Sequence, residues 1–154
     1  MQDQEAEEVR LIQELLGRQP QGKFEVAVRR PDGTPRVIKN SPFLDDGTPM
    51  PTLYWLVDPL DKLLISRLES NGAIKIAESE IGLEKIASAH KRYEEERNSA
   101  IPAEHLGPSP TGGVGGTRVG IKCLHAHYAW FLAGGKDPVG IWVDQQLKVE
   151  VLRE

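Results

Sequence analysis

Hydrophobic and polar positions follow two different periods along the chain, which predicts strands in the first third and helices after it. Apolar positions at helical spacing over residues 4–17 predict an N-terminal helix that ends at Gly17. The runs FEVAVRR and RVIKN flank the turn sequence PDGTP and predict a hairpin over 24–30 and 36–40. TLYWLV, residues 52–57, is rich in β-branched and aromatic side chains, so we expect a third strand there.

The chain is predicted to become helical after this third strand. Asp58 before Pro59 is a favourable helix start, and Asn71 with Gly72 is a favourable end, so residues 59–70 are expected to form a helix. The remaining predicted elements are, in order, a short strand or extended connection at AIKIAES (73–79), a helix over 83–101, a helix over 118–132, and a short helix or strand at 137–152.

These elements together predict an α+β fold, in which a small antiparallel sheet packs against a layer of three to four helices. A chain of 154 residues is long enough to bury one core and is predicted to form a single domain. Its regions are the N-terminal helix (1–20), the sheet region (24–57), and a helical region (58–154) that includes the Gly-rich loop (107–117).

Composition and charge exclude several classes of function. A net charge of −4 argues against nucleic acid as the main partner, because phosphate backbones require a basic face. No apolar run approaches the roughly 18–20 residues that span a bilayer, so no membrane association is expected. The acidic start MQDQEAEEVR is unlike a signal peptide, and one cysteine cannot form an internal disulfide. We therefore expect a cytoplasmic protein.

Charged and titratable side chains fall on the apolar stripes of two predicted helices. Arg67 lies within a leucine stripe of the first helix after the sheet, and His90 and Arg97 lie on the stripe of the long helix that follows. An unpaired buried guanidinium costs several kcal/mol, so each arginine should have an anionic partner. That partner is either an internal carboxylate, Glu94 or Asp58, or a bound anion.

The segment TGGVGGTR has the layout of a phosphate-binding loop. Missing side chains let backbone N–H groups converge on an anion, and a helix that starts immediately afterwards adds a favourable dipole. Thr117 is a suitable N-cap for that helix, but the spacing matches no standard nucleotide motif, so a loop that merely turns the chain is the alternative. The candidate ligand-binding residues are Arg67, Arg97, Gly113, Gly115, Gly116, Thr117, Arg118 and Lys122.

Cys123, His125 and His127 are candidate metal ligands. On a regular helix Cys123 and His127 share one flank, whereas His125 points to the other side, so all three could converge only if the segment were irregular. Zinc or another divalent metal would need further ligands, for which Asp58 is the candidate. The alternatives are a nucleophilic thiol and an inert buried one.

Several strings together resemble the Domain of Unknown Function 501 family, an uncharacterised bacterial family. They are DGTPMPTLYWLVDP, ISRLE, AHKRYEEER, RVGIKCLHAHYAWFLAGG and DPVG, spread between about residues 24 and 143. Relatives often place Cys at the position of Arg30, His or Cys at Asp58, and His at Trp130, which this chain lacks. The resemblance implicates Thr52, Tyr54, Ser66, Arg67, Glu69, His90, Lys122, Cys123 and His125.

The sequence thus predicts a protein that binds an anionic, phosphorylated small ligand between the Gly-rich loop and cationic helix faces. His90 or His125 is the candidate general acid or base, and phosphoester hydrolysis or transfer is the candidate reaction. One alternative is a non-catalytic module that binds a protein partner or a second copy through TLYWL, Trp130 and Trp142. A metal-dependent hydrolase that uses Asp58, Cys123, His125 and His127 is the second alternative.

Overall fold

The computed structural model describes residues 2–153 and confirms the α+β fold. Within that range the chain forms a three-stranded antiparallel sheet, six α-helices and one short 3-10 helix. In chain order the elements are α1 (Gln2–Leu16), β1 (Gly22–Arg29), β2 (Pro35–Leu44), β3 (Tyr54–Leu56), α2 (Pro59–Ser70), α3 (Ala73–Ile81), α4 (Leu83–Asn98), a 3-10 turn (Val114–Gly116), α5 (Leu124–Leu132) and α6 (Pro138–Arg153).

The sheet lies between α1 on one face and the other helices on the opposite face. Its order is β1-β2-β3, and Val37 of β2 is paired with Leu56 of β3. Val37 belongs to the large core under the helical layer, whereas its neighbour Ile38 packs with Ile12 of α1 in a smaller cluster. Because successive strand residues point to opposite faces, one strand serves both cores.

Polar side chains join β3 to two helices inside the main core. The Tyr93 hydroxyl on α4 accepts hydrogen bonds from the backbone N–H groups of Leu53 (2.5 Å) and Tyr54 (3.3 Å), and burial raises the pKa of Tyr93 to about 12. One oxygen of Glu96 accepts from the Tyr54 hydroxyl, and the other accepts from the indole N–H of Trp130 on α5. These bonds fix α4 and α5 against the same strand.

The predicted start of α2 is confirmed, and it is tied to the hairpin. Asp58 accepts a hydrogen bond from the backbone N–H of Asp61 (2.9 Å), as an N-cap should. The same carboxylate receives two bonds from the Arg30 guanidinium, at 2.6 and 2.8 Å, and Arg30 holds the pKa of Asp58 below its ordinary value. Asp58 is therefore a structural residue, already fully engaged.

Two predicted elements were wrong. AIKIAES does not form a strand or an extended connection: residues Ala73–Ile81 are helical, because the positive φ of Gly72 turns the chain and lets Ala73 and Ala77, one helical turn apart, reach the core. The helix predicted over 118–132 begins only at Leu124, and the residues before it form an irregular segment.

No helix between residues 2 and 153 is long and apolar enough to cross a membrane.

Candidate functional site

A groove at the junction of α1, β3, α2 and α5 collects three of the chain's basic side chains. It has a volume of about 410 Å³, and we call it the Cys123 groove. Among the described residues, none of the side chains that line it is a carboxylate. Its lining comprises Leu16, Arg18, Thr52, Tyr54, Trp55, Leu56, Lys62, Gly115, Lys122, Cys123, His125 and Ala126.

The C-terminal end of α1 forms one wall of the groove and is tied to the opposite wall. Lys62 of α2 donates a hydrogen bond to the backbone carbonyl of Leu15 (3.1 Å). The Arg18 guanidinium lies over the ring of Trp55, 5.0 Å from its centroid, which is a cation–π arrangement. Both cations are thereby positioned at the groove while their charge is retained.

The late start of α5 brings Cys123 and His125 together. Cys123 has an extended backbone (φ −154°, ψ 121°) immediately before the helix, and His125 lies in the first helical turn. The Cys123 thiol and Nδ1 of His125 are 3.7 Å apart. The prediction that Cys123 would share a flank with His127 instead was therefore wrong, because it assumed a regular helix through both.

His125 is surrounded by acceptors and by the thiol. Its Nε2 is 3.1 Å from the Lys62 carbonyl and 3.1 Å from the Ser66 hydroxyl, and its Nδ1 is 3.3 Å from Oε1 of Glu69. The hydrogen bond with Cys123 raises the pKa of His125 above its ordinary value of about 6.5, while burial acts in the opposite direction.

Arg97 is buried, as predicted, but its guanidinium contacts backbone carbonyls of its own chain. It donates to the carbonyls of Pro51 (3.0 Å), Gly112 (2.9 Å) and Pro110 (3.3 Å), and it also bonds Asn98. The guanidinium therefore holds the Gly-rich loop against α4 and β3 from within the protein.

The Gly-rich loop also directs its polar groups inward. The N–H of Gly113 donates to the carbonyl of Thr117 (2.7 Å), and the N–H of Gly116 donates to that of Gly113 (3.0 Å). The N–H of Gly112 donates to the Glu94 carboxylate (2.7 Å). The first two bonds lie within the loop. The third N–H, that of Gly112, already has an anionic acceptor in the Glu94 carboxylate.

The remaining candidates around this loop are dispersed. Glu94, the carboxylate predicted as an internal partner of the stripe arginines, lies 3.9 Å from the Arg97 guanidinium and 3.7 Å from that of the largely exposed Arg118. The Thr117 hydroxyl bonds the carbonyl of Val119 rather than capping a helix, so its predicted role as N-cap was wrong. Lys122 alone among the predicted ligand-binding cations lines the Cys123 groove, where its side chain lies against Gly115.

His90 is a buried histidine with both ring nitrogens bonded. Nδ1 accepts from the N–H of Val114 (3.0 Å), so Nε2 carries the proton and donates to the carbonyl of Gly120 (2.6 Å). Burial lowers the pKa of His90 below its ordinary value. A Cβ on Gly113 would lie 2.4 Å from Cβ of His90, so glycine is required there for close packing.

Three other predicted residues lie apart from the groove. Arg67 is exposed on α2, so the prediction that it faces the core was wrong: α2 buries a face that includes Asp61, which pairs with Arg36 at 2.7 Å. His127 is buried with Nδ1 2.7 Å from the carboxylate of Asp137. With Asp58 bonded to Arg30, the predicted metal set of Asp58, Cys123, His125 and His127 does not assemble.

Comparison with known proteins identifies the family of this chain. The family model described as "Protein of unknown function (DUF501)" matches residues 26–145, most of the chain. The chain belongs to this family. No curated protein and no solved structure matches it. The match therefore confirms the resemblance in the sequence.

Three residues of the site were missed when function was inferred from the residues alone. Arg18 and Lys62 are ordinary surface cations in the sequence, and no local pattern marks them as neighbours. Glu69 entered only through the family resemblance, in the string SRLE. Its position is set by a hydrogen bond that its Oε2 accepts from the N–H of Leu124 (2.9 Å), which is a tertiary contact.

Proposed function

We propose that the protein binds a small anionic, phosphorylated ligand in the Cys123 groove. The observation that carries this proposal is the charge of the lining: Arg18, Lys62 and Lys122 are cationic, and no carboxylate is present among the described residues that line the groove. Three lysine and arginine side chains around one concavity attract an anion and offer several charge-assisted hydrogen bonds. The net charge of −4 acts at long range, where salt screens it over about 10 Å, whereas these cations act at contact distance.

The size and walls of the groove favour a ligand with an organic part. Small-molecule sites commonly measure about 300–1,000 Å³ and are mostly apolar with a few polar groups. At about 410 Å³, the Cys123 groove lies within that range. Trp55 and Leu56 provide apolar surface beside the cations, so a phosphorylated metabolite fits better than phosphate alone.

If the ligand reacts, His125 is the group in place to move a proton. His90, the other predicted acid or base, is 2% exposed and does not line the groove. His125 lines the groove and lies beside the Cys123 thiol. Phosphoester hydrolysis or transfer at this site would use His125 as the acid or base.

The proposal is tested by calorimetric titration of the purified chain with a panel of phosphorylated sugars and nucleoside monophosphates, with inorganic phosphate as the simplest probe. We expect saturable binding that weakens as salt rises, because ion pairs are screened. Lys122→Met should weaken binding about tenfold or more, since a charged hydrogen bond contributes about 1.5–3 kcal/mol.

A matched control is Lys91→Met, which removes an exposed lysine on α4 outside the groove. It should bind the panel as the wild type does. Equal losses in both variants would mean that net charge alone attracts the probe. The absence of saturable binding by every member of the panel would overturn the proposal.

A module that binds a protein partner or a second copy is the second candidate. Most of the predicted interface aromatics do not support it: Trp130, Trp142 and Tyr54 are 2%, 8% and 7% exposed. Trp55 of TLYWL is half-buried and lies under Arg18. What favours it is a pair of leucines on α2, Leu60 and Leu63, which are 56% and 49% exposed. Sedimentation of the wild type and of Leu63→Lys over a range of concentrations tests this candidate: a shift to a smaller species in the variant would support it.

We also propose that the protein acts in the cytoplasm, and in a bacterium, as the sequence resemblance to a bacterial family implies. The support is the thiol at the groove, which is the chain's one cysteine. A partly exposed thiol persists most readily in a reducing compartment.

A further inference from the structure

Three side chains of metal-ligating type converge beside the Cys123 groove, and two of them, Cys123 and His125, line it. They are Glu69 near the end of α2, Cys123 immediately before α5, and His125 in the first turn of α5. Their ligand atoms all lie within 4.8 Å of one another, and each residue is half-buried. This cluster differs from the metal set predicted from the sequence, because Glu69 takes the place of Asp58 and His127.

Two of the three separations between these atoms are close to those around a tetrahedral zinc ion, and the third is within 4.8 Å. Zinc bonds of about 2.0–2.3 Å place the ligand atoms roughly 3.4–3.6 Å apart at tetrahedral angles. Nδ1 of His125 lies 3.7 Å from Sγ of Cys123 and 3.3 Å from Oε1 of Glu69. Small side-chain movements would therefore suffice to close the coordination sphere.

Outer hydrogen bonds already orient two of the three ligands. The Lys62 carbonyl can only accept, so its 3.1 Å contact places a proton on Nε2 of His125 and, in the neutral imidazole, leaves the Nδ1 lone pair facing the cluster. The second oxygen of Glu69 accepts from the N–H of Leu124 (2.9 Å), which leaves Oε1 directed at Nδ1. Metal-ligating histidines and carboxylates typically have this kind of support.

We propose that Glu69, Cys123 and His125 bind one Zn²⁺ ion whose fourth position opens into the Cys123 groove. Thiolate, imidazole and carboxylate together are a typical donor set for zinc. Binding replaces the thiol proton, which passes to solvent, and the imidazole stays neutral. Cys123 and His125 line the groove, so a water or an oxygen of a ligand there completes the coordination. The three cations that carry the anion-binding proposal are not zinc ligands. His125 is one, so with zinc bound it no longer serves as the acid or base proposed for a reaction in the groove.

The test is a titration of the reduced, metal-free wild-type chain with Co²⁺, followed by displacement with Zn²⁺. We expect a thiolate-to-cobalt charge-transfer band that saturates at one ion per chain, and visible bands of tetrahedral intensity. Zn²⁺ should abolish both. Cys123→Ser should lose the charge-transfer band. Glu69→Gln should weaken Zn²⁺ affinity at least about tenfold, because losing even a residue that only supports a metal ligand typically costs that much.

The control variant is His105→Gln, which alters a histidine bonded to the loop carbonyl of Pro108. It should bind Co²⁺ as the wild type does. A second readout needs no variant: Zn²⁺ should protect the thiol of Cys123 from alkylation, measured by mass. Absence of the charge-transfer band together with alkylation unaffected by Zn²⁺ would overturn the site, and would leave the cluster as a hydrogen-bonded imidazole, thiol and carboxylate.

The two proposals fail separately. A chain that binds one Co²⁺ but none of the phosphorylated probes has the metal site and lacks the anion site. A chain that binds the phosphorylated probes equally well with and without Zn²⁺, and shows no cobalt–thiolate band, has the anion site alone.

Discussion

At the scale of single residues, the buried cation and the buried imidazole of α4 serve the fold. Arg97 is fully buried on three backbone carbonyls, and His90 lies between the Val114 N–H and the Gly120 carbonyl. Both residues are polar on an apolar stripe, the pattern that also marks ligand sites. A structural role and a ligand-binding role differ in the partner of the polar group, and the position on the stripe does not predict that partner.

Replacing Arg97 with Met should destabilise the protein while leaving the groove intact. The substitution keeps an unbranched apolar stem but removes the guanidinium, which leaves buried carbonyls of the Gly-rich loop without donors. Each such group costs about 1–3 kcal/mol, so we expect a loss of about 3 kcal/mol in urea unfolding.

Arg92→Met is the control, because Arg92 is an exposed neighbour on α4 that bonds the carbonyl of Lys136. It should cost less than about 1 kcal/mol. If Arg97→Met instead kept its stability and lost affinity for phosphorylated probes, the structural role assigned to Arg97 would be wrong.

His90 should make stability fall as the pH drops below about 6.5. Burial lowers its pKa in the folded chain, so between that value and about 6.5 the unfolded chain binds a proton that the folded chain does not. The cost of His90→Gln should therefore shrink as the pH falls from 7.5 to 5, by at most about 1.4 kcal/mol per pH unit. Parallel stability curves for wild type and variant would contradict this account.

At the scale of elements, the first residue of a helix decides what its side chains can reach. Had α5 begun at Thr117, Cys123 and His127 would share a flank, and the thiol would lie away from His125. Because α5 begins at Leu124, the extended Cys123 lies beside His125. The start of α2 shows the reverse case, since the Asp58–Pro59 signal lies in the sequence and is confirmed.

Asp58 variants separate the cap of α2 from its ion pair. Asp58→Asn keeps a good N-cap but loses the charge that holds Arg30, and we expect a cost of about 1–3 kcal/mol near neutral pH. Asp58→Ala should cost about 1 kcal/mol more, because it also loses the cap.

In urea unfolding, the cost of losing the Asp58–Arg30 ion pair should depend on pH, whereas the cost of losing the helix cap should depend on it less. Arg30 lowers the pKa of Asp58, so the ion pair contributes stability above about pH 4 and loses it as the pH falls through the folded pKa. The difference between wild type and Asp58→Asn should then vanish in acid. A difference that persisted unchanged at pH 2 would contradict the ion-pair assignment.

At the scale of the whole molecule, the sequence predicts the fold class and most elements, while the site depends on tertiary contacts. The hairpin and α2 have local signals, namely a turn sequence and a cap. AIKIAES carries too short a pattern to distinguish a strand from α3. The Cys123 groove joins Arg18 to Lys122, residues far apart in the sequence that meet because α1 packs across the sheet.

The same scale explains why we propose the anion site in the Cys123 groove rather than in the Gly-rich loop. The Gly-rich loop has the composition of a phosphate cradle, but Arg97 and Glu94 already bond its carbonyl and N–H groups. The cations Arg18, Lys62 and Lys122 instead line the Cys123 groove, where no carboxylate is among the described lining residues. Composition identifies a segment that could bind an anion, and packing decides whether its polar groups remain available.

The most direct test of the account is an ¹⁵N-resolved NMR titration of the assigned wild-type chain with the phosphorylated probe that calorimetry finds to bind most tightly. Saturable amide shifts should concentrate at Lys62, Lys122 and residues 123–126, while the amides of Gly112 and Arg97 stay in place. Shifts centred on Gly112 and Arg97 instead would show that the Gly-rich loop binds the anion, and the account of the Cys123 groove would be wrong.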